Sequence, residues 1–349
     1  MNLRSDETMH THLPRRPPDS MIVGVGRSGT TLLMAMLNAH PDLVVVPETH
    51  FFRRFVVRNR LLTHQQAIQL LGEDTLFRRV NLEPRLIVNP IDSVKGRVDW
   101  TAAYERMLAE YARGHGGRRI VDKDPRAVEC LHVLHRTYPT LKILHMIRDP
   151  RDVFLSRKRA KWSEGRNWLT QAMTYRVQFA IGRLCGRQLR KDLYKEVFYE
   201  ELLTHPEGTM REVSQFLGIP YCPDMLGFSE KAKQIVASDE VDWKRNVMGP
   251  LLSNNFEKWR QDLDRREIVR IESVCRSAFG KGLYERSALR LRFGEAVESG
   301  LLRVIAASAS FVYLFYKLGM EKLTWPWRVA MPALAEIFHV AVSRTMRLL

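Results

Sequence analysis

The sequence predicts an α/β fold of three layers, a mainly parallel central sheet between helices, followed by a C-terminal helical extension. Three observations predict it. Apolar runs of strand length alternate with longer stretches of helical spacing, the first run passes through glycines into such a stretch, and no repeat of roughly 20–50 residues breaks the alternation.

Met21 to Val25 is the first run and reads as a strand. Thr30 to Ala39 carries Leu33, Met36 and Leu37 at helical spacing. Leu43 to Val46 is apolar throughout, as a strand covered on both faces would be. Further strands are predicted at Arg119 to Val121, Leu141 to Ile147 and Glu196 to Tyr199. Helices are predicted at Trp100 to Arg113, Ala127 to Thr137, Pro150 to Arg159, Asn167 to Arg190 and Pro206 to Leu217.

Residues 1–20 mix acids and bases without the apolar stretch of a secretory signal, so a disordered tail is expected there, with the main domain over 21–294. From 295 to 349 the composition changes. Val304 to Tyr316 is an apolar run of 13 residues bracketed by Arg303 and Lys317, against roughly 20 for a membrane span. A last helix is predicted with Leu334, Ile337, Phe338, Ala341 and Val342 on one face. This extension is expected to pack on the domain, on a second copy as a homodimer, or peripherally against a membrane. The expected location is cytoplasmic.

With 45% apolar and 27% charged residues the chain is not wholly disordered, collagen-like or a coiled coil. Its formal charge of +16 suits an anionic ligand or surface. Cys130, Cys185, Cys222 and Cys275 form no C-x-x-C pair, so they are expected as reduced thiols and no metal is required.

Gly24-Val25-Gly26-Arg27-Ser28-Gly29-Thr30-Thr31 lies between a predicted strand and a predicted helix, where backbone N–H groups and the positive helix end can surround a phosphate. The spacing is that of a P-loop, G-x-x-x-x-G-K-[ST], with Thr30 in the lysine place. The group that reaches the outer phosphates of a nucleoside triphosphate is therefore missing, and a basic residue stands inside the loop instead, at Arg27. A second anion site is predicted where Leu141 to Ile147 runs into Arg148-Asp149-Pro150-Arg151-Asp152, with Ser156 eight residues after Arg148 on the next helix. Glu48, after the second strand, stands where the carboxyl ends of parallel strands line a ligand crevice.

These residues together resemble the sulfotransferases that use 3′-phosphoadenosine 5′-phosphosulfate (PAPS), a P-loop-like fold. The resemblance implies that Arg27, Ser28, Gly29, Thr30 and Thr31 hold the 5′ end of PAPS and that Arg148 and Ser156 hold its 3′-phosphate. Tyr199, in Tyr199-Glu200-Glu201-Leu202-Leu203, and Lys258, in a stretch resembling the loop that closes over the cofactor, are further expected contacts. The run from Arg27 to Glu48-Thr49 resembles the tyrosylprotein sulfotransferase branch, where a glutamate 21 residues after the loop arginine is the base. It implies Glu48 as base, with Lys123 and Arg27 as catalytic cations. Pro125 stands where the steroid and phenol enzymes carry their histidine.

His50 departs from the tyrosine-modifying branch, which has an arginine there, so a glycan, lipid or small-molecule hydroxyl is expected as acceptor rather than protein tyrosine. The resemblance runs from about Met21 to Trp259 and none is seen after Glu295. Competing expectations are a P-loop small-molecule kinase and a basic nucleic-acid or membrane-binding protein without catalysis. No nucleic-acid-binding signature supports a nucleic-acid partner.

Overall fold

The structure, a computed structural model, describes residues 14–93, 95–116, 118–160, 165, 167–235, 247–280 and 283–319, with side chains left out for 233–235 and 314–319. Five parallel strands form one sheet in the order β2-β3-β1-β4-β5. The central strand β1 (Ser20–Gly24) is buried along its whole length. On one side it pairs with β3 (Arg119–Lys123), Ile22 opposite Lys123, and β2 (Leu43–Val45) lies beyond. On the other side it pairs with β4 (Lys142–Ile147), Gly24 opposite Met146, and β5 (Tyr194–Phe198) lies beyond.

Alternate residues of β1 serve different cores, which explains why the run is apolar without a polar face. Met21 and Val23 join an aromatic-rich cluster with Phe51, Phe52, Phe55, Trp100 and Tyr104, while Ile22 joins the cluster under helix α1 (Thr30–Asn38). The chain leaves β1 towards one edge and β4 towards the other. A crevice therefore opens at the carboxyl ends of those two neighbours.

The other helices that matter to the site are α2 (Trp100–Gly114), α3 (Pro150–Lys158), α4 (Trp168–Gly186), α5 (Tyr199–Thr204), α6 (Arg265–Val274) and α7 (Phe293–Gly319). Several boundaries differ from the sequence expectation. Arg15 pairs with Asp92 at 2.7 Å and Ser20 already belongs to β1, while residues 1–13 lie outside the described ones. The segment expected as one helix from Ala127 begins as a 3₁₀ stretch, Pro125–Cys130, because Asp124 caps it and Pro125 opens it. Tyr199 opens α5 instead of ending β5. Helix α6, started by a reciprocal capping box between Asp264 and Glu267, was not anticipated.

Helix α7 runs for 27 residues, well beyond the apolar run at its centre. Its stretch Phe293–Tyr313 is long and apolar enough to cross a membrane by length and composition. One side is tied to the domain through Arg265–Glu295 at 2.8 Å, Arg270–Glu298 at 2.6 Å and Arg176–Ser310 at 2.8 Å. Phe293, Leu301, Val304 and Phe311 are exposed on the other. The amphipathic stretch Leu334 to Val342 lies outside the described residues. None of the four cysteines is joined in a disulfide.

Candidate active site

The loop after β1 turns through two left-handed residues, Arg27 at φ 79° and Gly29 at φ 94°. A non-glycine residue in that region is uncommon and marks a backbone held by its surroundings. Gly29 caps α1 without any side-chain cap, so the positive end of the helix faces the loop. A Cβ on Gly29 would lie 2.3 Å from the Tyr199 ring. Arg157, which sequence reasoning missed, braces the loop by donating to the Gly26 carbonyl from Nη2 at 3.1 Å. Ser28 is fully buried, and its hydroxyl has no hydrogen-bond partner. Thr30 is buried and Thr31 half-buried beside it.

Arg148, leaving β4, reaches the same place. Its Nη1 donates to the Arg27 carbonyl at 3.3 Å, and Arg27 Nε donates to Ser156 Oγ at 3.1 Å. The Arg148 guanidinium lies over the Tyr199 ring at 4.1 Å, and its buried Nε has no partner. Asn255 closes this side, accepting from Arg148 Nη2 at 3.0 Å and donating to the Tyr199 hydroxyl at 2.8 Å. Lys258 is half-buried and caps the short helix Trp259–Asp262 three residues on. Only the general likeness of that stretch pointed there, and nothing in the spacing singled out Asn255.

Glu48 and Lys123 meet one strand further along. Lys123, at the end of β3 and almost wholly buried, is in direct contact with the Glu48 carboxylate. Arg79 donates to the Glu48 carbonyl at 3.2 Å and fixes the backbone. The other carboxylate oxygen of Glu48 faces His50 Nε2 at 3.3 Å, and His50 Nδ1 lies 2.8 Å from Asp124 Oδ1. Arg53 Nε is 3.4 Å from the second oxygen of Asp124. Behind Lys123, Asp122 accepts from the Tyr104 hydroxyl at 2.5 Å, and burial pushes its carboxyl up to about 6.

The loops after β1 and β4 thus share one cleft, and a carboxylate with a lysine stands beside it. A model of the sulfotransferase family matches residues 18–223. The chain belongs to that family. It is an enzyme of sulfuryl transfer, and the kinase and the non-catalytic alternatives fall. Protein-tyrosine sulfotransferase A of Caenorhabditis elegans is 27% identical over 344 residues, covering 95% of this chain and 83% of that protein. Such coverage runs past Glu295, further than the sequence signatures suggested. The protein-tyrosine sulfotransferase of Drosophila melanogaster is 28% identical over 255 residues, 70% of this chain, and the chain spans 47% of that longer protein.

The sulfotransferase domain of the Synechococcus PCC 7002 olefin synthase superposes with a TM-score of 0.52 at 22% identity, covering 72% of this chain and 90% of the domain, a likeness of fold. The sulfotransferase family uses PAPS as donor. The buried, unpartnered Ser28 hydroxyl and Arg148 Nε suit the phosphate oxygens of that donor. The expectation of a glycan, lipid or small-molecule acceptor is corrected by these relatives, which are named protein-tyrosine sulfotransferases. It rested on the missing arginine at position 50, yet further arginines, Arg53, Arg54, Arg58 and Arg60, follow within ten residues.

Proposed function

We propose that this sulfotransferase modifies the phenolic hydroxyl of protein tyrosine, with Glu48 as general base. The contact between Glu48 and Lys123 at the carboxyl ends of neighbouring strands carries the reading. Arg27, Ser28, Gly29, Thr30 and Thr31 would hold the 5′ end of PAPS, and Arg148 and Ser156 its 3′-phosphate, with Tyr199 and Lys258 as further contacts. When bound, the donor supplies the sulfuryl group and a phosphate that can leave.

Glu48 removes the proton from the acceptor hydroxyl as its oxygen attacks. Lys123 and Arg27 stabilise negative charge where it grows on the transferred group and the leaving oxygen. Lys123 is already desolvated, so its charge acts at full strength without rearranging water.

An arginine cluster supports an acidic peptide as acceptor. The Arg58 guanidinium is held below its ordinary value by partial burial and then by Arg60, Arg53, Arg54 and Arg126, a concentration of positive charge beside the Glu48 loop.

Glu48→Gln should keep calorimetric affinity for adenosine 3′,5′-bisphosphate while losing roughly 10²–10⁴ in turnover, the range for a general base. Near-normal turnover removes Glu48 from the mechanism. Radiolabelled PAPS should mark tyrosine peptides with acidic flanks in preference to neutral ones. Label entering only glycan or lipid fractions would refute the tyrosine reading.

A further inference from the structure

We infer that His50, held between Asp124 and Glu48, positions the base. The inference rests on Glu48 being the base. Both ring nitrogens face carboxylate oxygens, Nδ1 at 2.8 Å from Asp124 and Nε2 at 3.3 Å from Glu48. An ionised carboxylate only accepts, and a neutral imidazole donates from one nitrogen and presents a lone pair at the other. The ring lies between the two carboxylates, tied to Asp124 through Nδ1 and turned to Glu48 through Nε2.

Asp124 is a rigid anchor for this arrangement. It is almost fully buried, and its Oδ1 also accepts from the Arg126 backbone N–H at 3.1 Å. His50 itself sits at φ 54°, a left-handed conformation that costs energy in a residue with a Cβ. That backbone directs the ring into the gap between the two carboxylates, while the His50 carbonyl accepts from Arg54 N–H at 3.0 Å and starts the next helical turn.

The chemistry gives the bridge a use. Glu48 is gripped through one oxygen by Lys123, and its other oxygen faces His50 Nε2 at 3.3 Å. Lys123 has a second task at the leaving oxygen, and as it answers that charge its hold on Glu48 weakens. His50 then remains as the contact that keeps the carboxylate aimed at the acceptor. The proton passes from the acceptor hydroxyl to Glu48, and no relay through His50 is invoked. The charged groups around the ring are Glu48, Asp124, Lys123 and Arg53, with Asp122 behind them.

The test is kcat and KM for wild type, His50→Gln and His50→Arg, with PAPS and a tyrosine peptide. His50→Gln should have a kcat lower by about 10–100-fold, the scale of a misplaced catalytic group, with KM for PAPS retained. His50→Arg restores a donor between the carboxylates and should recover part of kcat. A loss confined to KM would mark a merely structural role. Affinity for adenosine 3′,5′-bisphosphate confirms that each variant is folded. A wild-type kcat in His50→Gln, with Glu48→Gln inactive, overturns the role of His50 alone. An active Glu48→Gln overturns the base itself.

Discussion

Glu200 lies directly beneath the arginine of the second loop and shows how burial sets a protonation state. One carboxylate oxygen accepts from Asp149 N–H at 3.0 Å and the other from the Tyr284 hydroxyl at 2.9 Å. Burial nevertheless dominates and pushes the group up to about 7 from its ordinary 4.5. The native protein therefore keeps this proton across a range in which the unfolded chain has released it. The stability it contributes is complete below about 4.5 and declines as pH rises to about 7. Glu200→Gln carries no proton to lose. Its thermal midpoint should fall less than that of the wild type between pH 5 and pH 8, and equal falls in calorimetry would refute the assignment.

At the scale of elements, the first loop depends on the start of α5, where the Tyr199 ring occupies the space that a side chain on Gly29 would need. Gly29→Ala meets that ring at 2.3 Å and also forces alanine to φ 94°. The combined strain should cost roughly 1–3 kcal/mol and weaken bisphosphate binding. A variant with wild-type denaturation midpoint and wild-type calorimetric affinity would show that the loop has room to relax. β1, β2 and β4 were legible as short, mostly apolar runs buried on both faces, whereas β3 and the partly buried β5 carry charged residues, and the sheet reproduces all five within a residue or two. Helix α6 was hidden because it is strongly charged, its apolar residues Ile268, Val269 and Ile271 sitting among acids and arginines. Glu48 and Lys123 meet because both stand at the carboxyl ends of neighbouring strands. Asn255 against Arg148, and His50 against Asp124, could not be anticipated, because Asn255 sits in an irregular loop and His50 in a left-handed backbone turn that no sequence spacing marks.

For the whole molecule, a ligand that grips the loops after β1 and β4 ties together the central strand and its inner neighbour. Adenosine 3′,5′-bisphosphate at about 100 times its Kd should stabilise the fold by about 2.7 kcal/mol, seen as a raised Tm. Adenosine 5′-monophosphate, lacking the second phosphate, should raise it far less at equal concentration. Equal shifts would mean that the second loop takes no part.

One aromatic side chain makes the two loops mechanically inseparable. The face of Tyr199 supports Arg148, its edge abuts Gly29, and its hydroxyl is tethered by Asn255. Trimming this strut loosens both grips together, so a donor missing either phosphate pays twice, once for the lost contact and once for the slack at the opposite end.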